Sequence, residues 1–255
     1  MIVRKSPAEI EAMARAGRVV VETLERIGDA VSPGVTTAEL DELAEDSIRG
    51  QGGVPTFKGY RGFPGSICAS PNSMIVHGIP GAYRLQEGDV ISIDVGVTLD
   101  GFVADSAFTF PVGDIEPEAQ RLLDVCQAAL AAGIAAALPG NHVGDVSAAV
   151  QTTTESAGFS VVRSLVGHGV GRSMHEEPQV PNYGEPGRGP KLAPGTTIAI
   201  EPMITAGGDD VFVATDGWSI STRDGSLAAH FEHTIAVTED EPRILTEAPV
   251  GSMRA

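Results

Sequence analysis

Residues 86–94 read QEGDVISID, and residues 193–201 read APGTTIAIE. Each stretch has a turn glycine (Gly88, Gly195), an alternating apolar run and a closing carboxylate (Asp94, Glu201), and the carboxylates lie 201 − 94 = 107 positions apart. Farther upstream, Pro33-Gly34 and Pro139-Gly140 repeat at an offset of 139 − 33 = 106, each ending a long helical segment and opening a shorter one. The chain therefore reads as two copies of one unit, each delivering an acid from a strand. A second acid-bearing strand follows in each half, at Ala104-Asp105-Ser106 and at Phe231-Glu232-His233. Four carboxylates gathered by a pseudo-twofold repel one another unless cations stand between them. That is the pattern of a two-metal enzyme.

Working outward, Ser6-Pro7-Ala8-Glu9 predicts a helix start, with a capping serine, proline in the first turn and Glu9 completing a capping box. Ile10, Met13, Ala14, Gly17, Val20, Val21, Leu24 and Ile27 supply its apolar stripe, and the helix is expected to stop before Pro33-Gly34. Thr36 to Glu39 opens a second helix that Gly50 ends. Residues 51–83 lack helical period and predict short strands and loops. Strands over 90–98 and 102–110 flank Asp100-Gly101, a strong hairpin signal. With those two residues at the centre of the turn, Asp94 faces position 107, so Asp94 and Asp105 share one face of the sheet. A long helix from Pro117 to about Leu138 and a shorter one from Val143 to Ala157 follow. Strands are expected near 160–166, 196–205 and 230–238. The extra segment 207–226 holds the only tryptophan, Trp218. No boundary is visible beyond the halves, about 1–115 and 116–255, so the 255 residues read as one catalytic domain.

Composition narrows the function. With 17 basic against 34 acidic residues the formal charge is −17 and the pI about 4.6, which argues against a nucleic-acid surface. Cys68 and Cys126 are the only cysteines, so no disulfide framework is implied and a reducing cytoplasm fits. The start of the chain has no apolar signal region. The longest apolar-rich stretch, Cys126 to Leu138, is too short to span a bilayer.

The six histidines sharpen the metal reading. His168 lies in Val-Gly-His-Gly-Val-Gly, where flanking glycines let backbone approach a ligand closely. One imidazole with four carboxylates is a mostly hard-oxygen donor set, suited to Mn, Fe, Co or Zn and not to a thiolate zinc site. His77 and His175 are loop histidines placed to act beside the metals. His142 and His230 read as structural or solvent residues, and strand alternation points His233 away from the face of Glu232.

Asp94, Asp105, Gly-His168-Gly-Val-Gly-Arg, Glu201-Pro-Met and Phe231-Glu232-His-Thr together resemble type I methionine aminopeptidase. His77-Gly-Ile-Pro, Met174-His175-Glu-Glu-Pro-Gln-Val and Asp216-Gly-Trp218 carry the same likeness, which extends from the first helix to Ile244-Leu245-Thr246. The resemblance implies the pita-bread fold, an α/β (α+β) arrangement of two pseudo-twofold-related halves with antiparallel sheet and helices packed on one side. It implies a metal-dependent aminopeptidase that removes the initiator methionine of nascent proteins when the second residue is small. Two divalent ions would be held by Asp94, Asp105, His168, Glu201 and Glu232. Asp105 and Glu232 would bridge both, His168 and Glu201 would complete one shell, and Asp94 would bind the other ion bidentately. Those ions would lower the pKa of a bridging water, Glu201 would shuttle a proton and His175 would stabilise the oxyanion. His77 would contact the scissile amide or the leaving amine. The methionine side chain would lie among Tyr60, Phe63, Cys68 and Trp218, with Phe57 and Met174 beside them; Cys68 reads as a small buried hydrophobe with no nucleophilic role. The resemblance further implies nascent N-termini as partners, a transient ribosome contact, no nucleic-acid specificity, no membrane association, a monomer and a cytoplasmic location.

The chain departs from the family at three positions. Gly96 stands where threonine is frequent, Met174 where an aromatic is common, and Phe57 where many bacterial members have a smaller residue. The 30 residues between Glu201 and Glu232 leave no room for the type II helical insertion, and the chain shows neither a docking extension nor a zinc-finger region ahead of the first helix. Two other readings compete. One is an X-Pro aminopeptidase or dipeptidase of the same superfamily, which normally bears a large preceding domain. The other is a non-catalytic pita-bread binding protein, which would have lost the metal ligands.

Overall fold

Ser6 opens helix α1, Pro7–Ala30, in the capping box its sequence predicts. Its hydroxyl accepts from Glu9 N (3.4 Å) and its own N–H donates to Glu9 Oε2 (3.0 Å). Thr36 and Glu39 repeat the device at the start of α2, Thr37–Gly50. The described part of this computed structural model is residues 2–248. After α2 come β1 (Val54–Pro55), a 3₁₀ turn at Tyr60–Gly62, β2 (Cys68–Pro71), β3 (Met74–Val76), β4 (Val90–Leu99) and β5 (Phe102–Pro111). The second half begins with α3 (Pro117–Ala136) and α4 (Val143–Ser156). It continues through β6 (Ser160–Val161), β7 (Val166–Gly169), β8 (Glu176–Pro181), β9 (Thr197–Ile200) and β10 (Met203–Thr205). The hairpin β11 (Val211–Val213) and β12 (Ile220–Thr222) precedes β13 (Ala228–His230), β14 (His233–Ala236) and β15 (Arg243–Ile244).

Each half packs two helices on sheet. Val20, Leu24 and Ile27 of α1 with Leu40 and Ile48 of α2 bury against Ile91, Ile93, Val95 and Phe110. In the second half, Leu122, Cys126 and Leu130 of α3 with Val146 and Val150 of α4 bury against Ile198, Ile200 and Ile235. Each fully buried aliphatic chain stabilises by roughly 1.5–3 kcal/mol over its exposed state.

The internal repeat appears as equivalent hydrogen bonds. Gly34 N donates to Leu85 O (2.7 Å) and Gly140 N to Leu192 O (2.9 Å). Gly88 N donates to Val112 O and Gly195 N to Val237 O, both at 2.9 Å. Both turn glycines, Gly88 and Gly195, sit at φ +88°, in the left-handed region that a side chain disfavours.

β4 pairs with β5 on one side and with β1 and β2 on the other, all antiparallel. Asp94 lies opposite Ala107, as the turn count predicts, and Gly96 opposite Asp105. The second-half strands are shorter than their sequence predicts. The stretch over 196–205 divides into β9 and β10 at Glu201-Pro202, and that over 230–238 divides into β13 and β14 at Phe231-Glu232. The stretch over 160–166 likewise divides into β6 and the start of β7. The reason is a change of sheet. β14, β9 and β7 belong to the sheet β15-β14-β9-β7-β8, whereas β13, β10 and β6 form a separate three-stranded sheet. Pro202 lacks the N–H that would continue the ladder. The two acids therefore sit where their strands cross between sheets. β8, the β11–β12 hairpin and β15 have no counterpart among the predicted elements.

Side chains join the halves along β5. Thr234 Oγ1 donates to Asp105 O (2.7 Å) and accepts from Asp105 N (3.0 Å). Thr109 Oγ1 donates to His230 O (2.8 Å) and accepts from His230 N (3.0 Å). Between them Ser106 Oγ donates to Glu232 O (2.5 Å), and Glu232 N donates to Ala107 O (2.9 Å). This seam runs directly behind the acidic residues.

Candidate metal centre

A cavity of about 280 Å³ opens where the two halves meet, and Asp94, Asp105, His168, Glu201 and Glu232 all line it. Asp105, His168 and Glu232 are buried, while Asp94 and Glu201 keep an edge accessible. One donor atom each from Asp105, His168 and Glu232 can be chosen so that all lie within 4.8 Å of one another. His168 Nε2 stands 3.7 Å from Asp105 Oδ2 and 3.5 Å from Glu201 Oε1. Its Nδ1 lies 2.9 Å from Gly169 O, a contact that keeps the proton on Nδ1 and turns the Nε2 lone pair to the cavity. The flanking glycines serve strand packing. A Cβ on Gly167 would stand 2.5 Å from Ala199 O, and one on Gly169 would stand 2.2 Å from Glu177 O. Close backbone approach there is to neighbouring strands, not to a ligand.

Burial pushes the Asp94 carboxyl up to about 7. Burial first, and then the charges of neighbouring acids, raises Asp105, Glu201 and Glu232 well above the usual carboxylate range. Among the described residues, Asp94 Oδ1, Asp105 Oδ1 and Glu232 Oε1 are buried without a hydrogen-bond partner. Buried carboxylate oxygens left in this state are costly. Orphaned, convergent oxygens with one prepared imidazole fit a hard or borderline divalent cation.

His77, with φ +58° just after β3, and His175, just before β8, flank the acids in the same cavity. Tyr60 Oη lies 2.9 Å from His175 Nδ1, and their rings stack at 5.6 Å. Burial of the inner edge of His175, then His168, Arg61 and His77, holds its pKa near 4. Glu176 holds the approach to this histidine. One of its oxygens accepts from Arg172 N (2.9 Å) and Ser173 N (3.2 Å), and the other accepts from the buried Lys5 ammonium (2.5 Å).

Tyr60, Phe63, Cys68, Met174 and Trp218 form the apolar wall, with Phe63 and Trp218 edge-to-face at 5.2 Å. Burial raises the Cys68 thiol well above its ordinary value, so it stays a protonated hydrophobe. Two of the family departures prove to be one contact. A Cβ on Gly96 would stand 2.7 Å from Cε1 of Phe57, so the Phe57 ring occupies the space a side chain at 96 would need.

One histidine is placed differently from its sequence reading. His230 is 2% exposed, lines the cavity, and directs Nε2 at Glu232 Oε2 (3.7 Å) and Glu201 Oε2 (3.9 Å). It stands two positions before Glu232, so strand alternation alone puts both on one face. His233 turns the other way and its Nδ1 meets Thr246 Oγ1 at 3.0 Å. His142 is the N-cap residue of α4, away from the cavity.

A pseudo-symmetric α/β fold with buried acids and histidines around a cavity between its halves defines the class, a metallohydrolase. The chain belongs to metallopeptidase family M24, whose model matches residues 11–239. Within that family it groups with the methionine aminopeptidases. It is 50% identical to methionine aminopeptidase 1 of Bacillus subtilis (strain 168) over 246 residues, covering 96% of this chain and 99% of that one. Methionine aminopeptidase 1 of Mycobacterium tuberculosis is 48% identical over 253 residues, covering 96% and 95%. The crystal structure of methionine aminopeptidase from Thermotoga maritima superposes with a TM-score of 0.96 at 43% identity, covering 97% of this chain and all of that one. The prolidase from Pyrococcus furiosus shares the fold alone, with a TM-score of 0.76 at 20% identity.

Proposed function

We propose that this chain is a metal-dependent aminopeptidase that removes the initiator methionine from polypeptides whose second residue is small. The observation that carries the reading is the convergence of four acids and four histidines on one cavity that aromatic and sulfur-bearing side chains also line. Asp94, Asp105, His168, Glu201 and Glu232 would hold two divalent ions of the Mn, Fe, Co or Zn group. When bound, such ions supply Lewis acidity and activate water near neutral pH.

The protein's own groups do the rest. Glu201, with its raised pKa and its edge toward the cavity, is suited to take a proton from the attacking water and pass it to the leaving amine. His175 is neutral at pH 7. With Tyr60 Oη donating to its Nδ1, its proton resides on Nε2, where it donates to the oxyanion forming at the scissile carbonyl. Burial also lowers the pKa of His77, so it too meets the peptide as a neutral imidazole. The wall of Tyr60, Phe63, Cys68 and Trp218, with Met174, suits an unbranched, polarizable side chain. His77, His175 and the acids line the same cavity, and on this reading they would crowd the scissile bond and leave room for only a small second residue.

The partners on this reading are nascent N-termini, met during a transient ribosome contact by a monomer in the cytoplasm. No helix among the described residues is long and apolar enough to cross a membrane. The test compares kcat/KM for Met-Ala-Ser, Met-Lys-Ser, norleucine-Ala-Ser and an X-Pro peptide at equal metal loading. Met-Ala-Ser and norleucine-Ala-Ser should be cleaved, because norleucine keeps the length and shape of methionine with a methylene in place of sulfur, and volume-conserving apolar swaps cost little. Equal cleavage of Met-Ala-Ser and Met-Lys-Ser would refute the crowding argument, and preference for the X-Pro peptide would place the chain among the dipeptidases.

A further inference from the structure

Among the described residues, His230 is the one buried titratable side chain in the cavity that the roles above leave unused. Its Nε2 has no hydrogen-bond partner among the described residues, although the ring is 2% exposed. The two imidazoles beside Glu201 divide its oxygens, with His168 Nε2 3.5 Å from Oε1 and His230 Nε2 3.9 Å from Oε2. Each imidazole also faces a second acid at 3.7 Å, Asp105 for His168 and Glu232 for His230. Glu201 thus sits between them as in a clamp.

The two rings are prepared differently. His168 has a carbonyl on Nδ1, which frees Nε2 to act as a lone-pair donor to a cation. His230 has no such partner on Nδ1 among the described residues, and its Nε2 faces the carboxylates of Glu201 and Glu232. An imidazole nitrogen between two acceptors is stabilised by carrying the proton. Bringing 3.7–3.9 Å to hydrogen-bond range takes a movement of about 1 Å, within reach of a carboxylate turning about its last bond. Thr109, bonded to both N and O of His230, fixes the backbone from which the ring projects.

We propose that His230 is a positioning residue of the metal centre: an imidazole whose Nε2–H donates to Glu201 opposite His168, holding the carboxylate in the orientation that binds metal and moves the proton. The proposal rests on the aminopeptidase reading and adds a group that His168 cannot replace, since His168 presents a lone pair where His230 presents a proton.

His230→Leu keeps bulk and removes the donor, and His230→Gln keeps an N–H donor on a flexible amide. Both are compared with wild type by calorimetric titration of the metal-free protein with Mn(II), by melting of the metal-free protein, and by kcat and KM on Met-Ala-Ser. The expected result for Leu is unchanged stoichiometry, roughly tenfold weaker Mn(II) binding, kcat lower by about 10–100-fold and little change in KM. Gln should restore most of both losses, and the melting of the metal-free proteins should match. Wild-type behaviour of the Leu variant would overturn the proposal. So would a lost metal equivalent that Gln fails to restore, which would make His230 a ligand, or a lower metal-free melting point that accounts for the losses, which would make it packing. If wild type released no methionine, the aminopeptidase reading would fall while the calorimetry still decided the role of His230.

Discussion

Gly96→Ala probes the packing of the metal centre with a single methyl group. The added Cβ would meet Phe57 Cε1 at 2.7 Å, Cζ at 3.1 Å and Cδ1 at 3.3 Å. Real carbon contacts lie near 3.5–4.0 Å, so the ring must move by close to an ångström. Phe57 is 7% exposed and packs with Phe63, Cys68, Phe102 and Met174, so the displacement spreads into the cavity wall. Overpacking of this kind costs about 1–3 kcal/mol, and the reduced freedom of the unfolded chain returns about 0.4–1 kcal/mol. The net expectation is a loss of about 1–2 kcal/mol, or roughly 2–8 °C in Tm for a chain of this size. Removing the ring removes the clash. In a cycle of Gly96→Ala, Phe57→Ala and the double variant, the alanine at 96 should cost nothing once residue 57 is alanine, a coupling of about 1–2 kcal/mol. Urea denaturation of metal-loaded and metal-free protein measures it. Equal costs of Gly96→Ala in both backgrounds would refute the claim that the ring excludes a side chain at 96. Because Phe57 and Asp94 line the same cavity, the single variant should also lose kcat/KM, and the double variant should recover part of it.

Two further outcomes follow from the site's electrostatics and hydrogen bonds. His175→Ala should lower kcat by about 10²–10³ with normal metal content, as for a donor acting on the transition state; loss of metal in proportion to activity would make His175 a ligand instead. The metal-free protein should lose stability as pH rises from 5 to 8. A carboxyl raised from 3.8 to about 7, as at Asp94, binds more protons folded than unfolded, so its contribution is full below the unfolded pKa and is lost as pH climbs through 7. Tm against pH for metal-free wild type and Asp94→Asn should show a steeper fall in wild type, and parallel curves would contradict the assignment.

Much of the site was legible where strands are regular. The Asp100-Gly101 turn places Asp94 opposite Ala107, and this register alone sets Asp94 and Asp105 on one face. The capping boxes at Ser6 and Thr36 likewise follow from local sequence. Legibility ended where a segment changes sheets. Glu201 and Glu232 lie at crossings between sheets that no periodicity announces. His230 was readable, since it shares alternation with Glu232, yet a histidine in an apolar strand carries no local sign that its Nε2 also faces Glu201 from another segment. The Phe57–Gly96 contact joins a loop to a strand 39 positions away, and only the folded chain brings it together.

The central claim is that the buried acids and histidines are a metal centre that releases N-terminal methionine. Its most direct test is anaerobic titration of the metal-free protein with Mn(II), Fe(II), Co(II) and Zn(II), following methionine release from Met-Ala-Ser together with bound metal. The account predicts no release without metal, saturable recovery with at least one of these ions, and no recovery in Asp105→Ala or Glu232→Ala. Release by the metal-free protein at the rate of the loaded one, or full recovery in either variant, would contradict it.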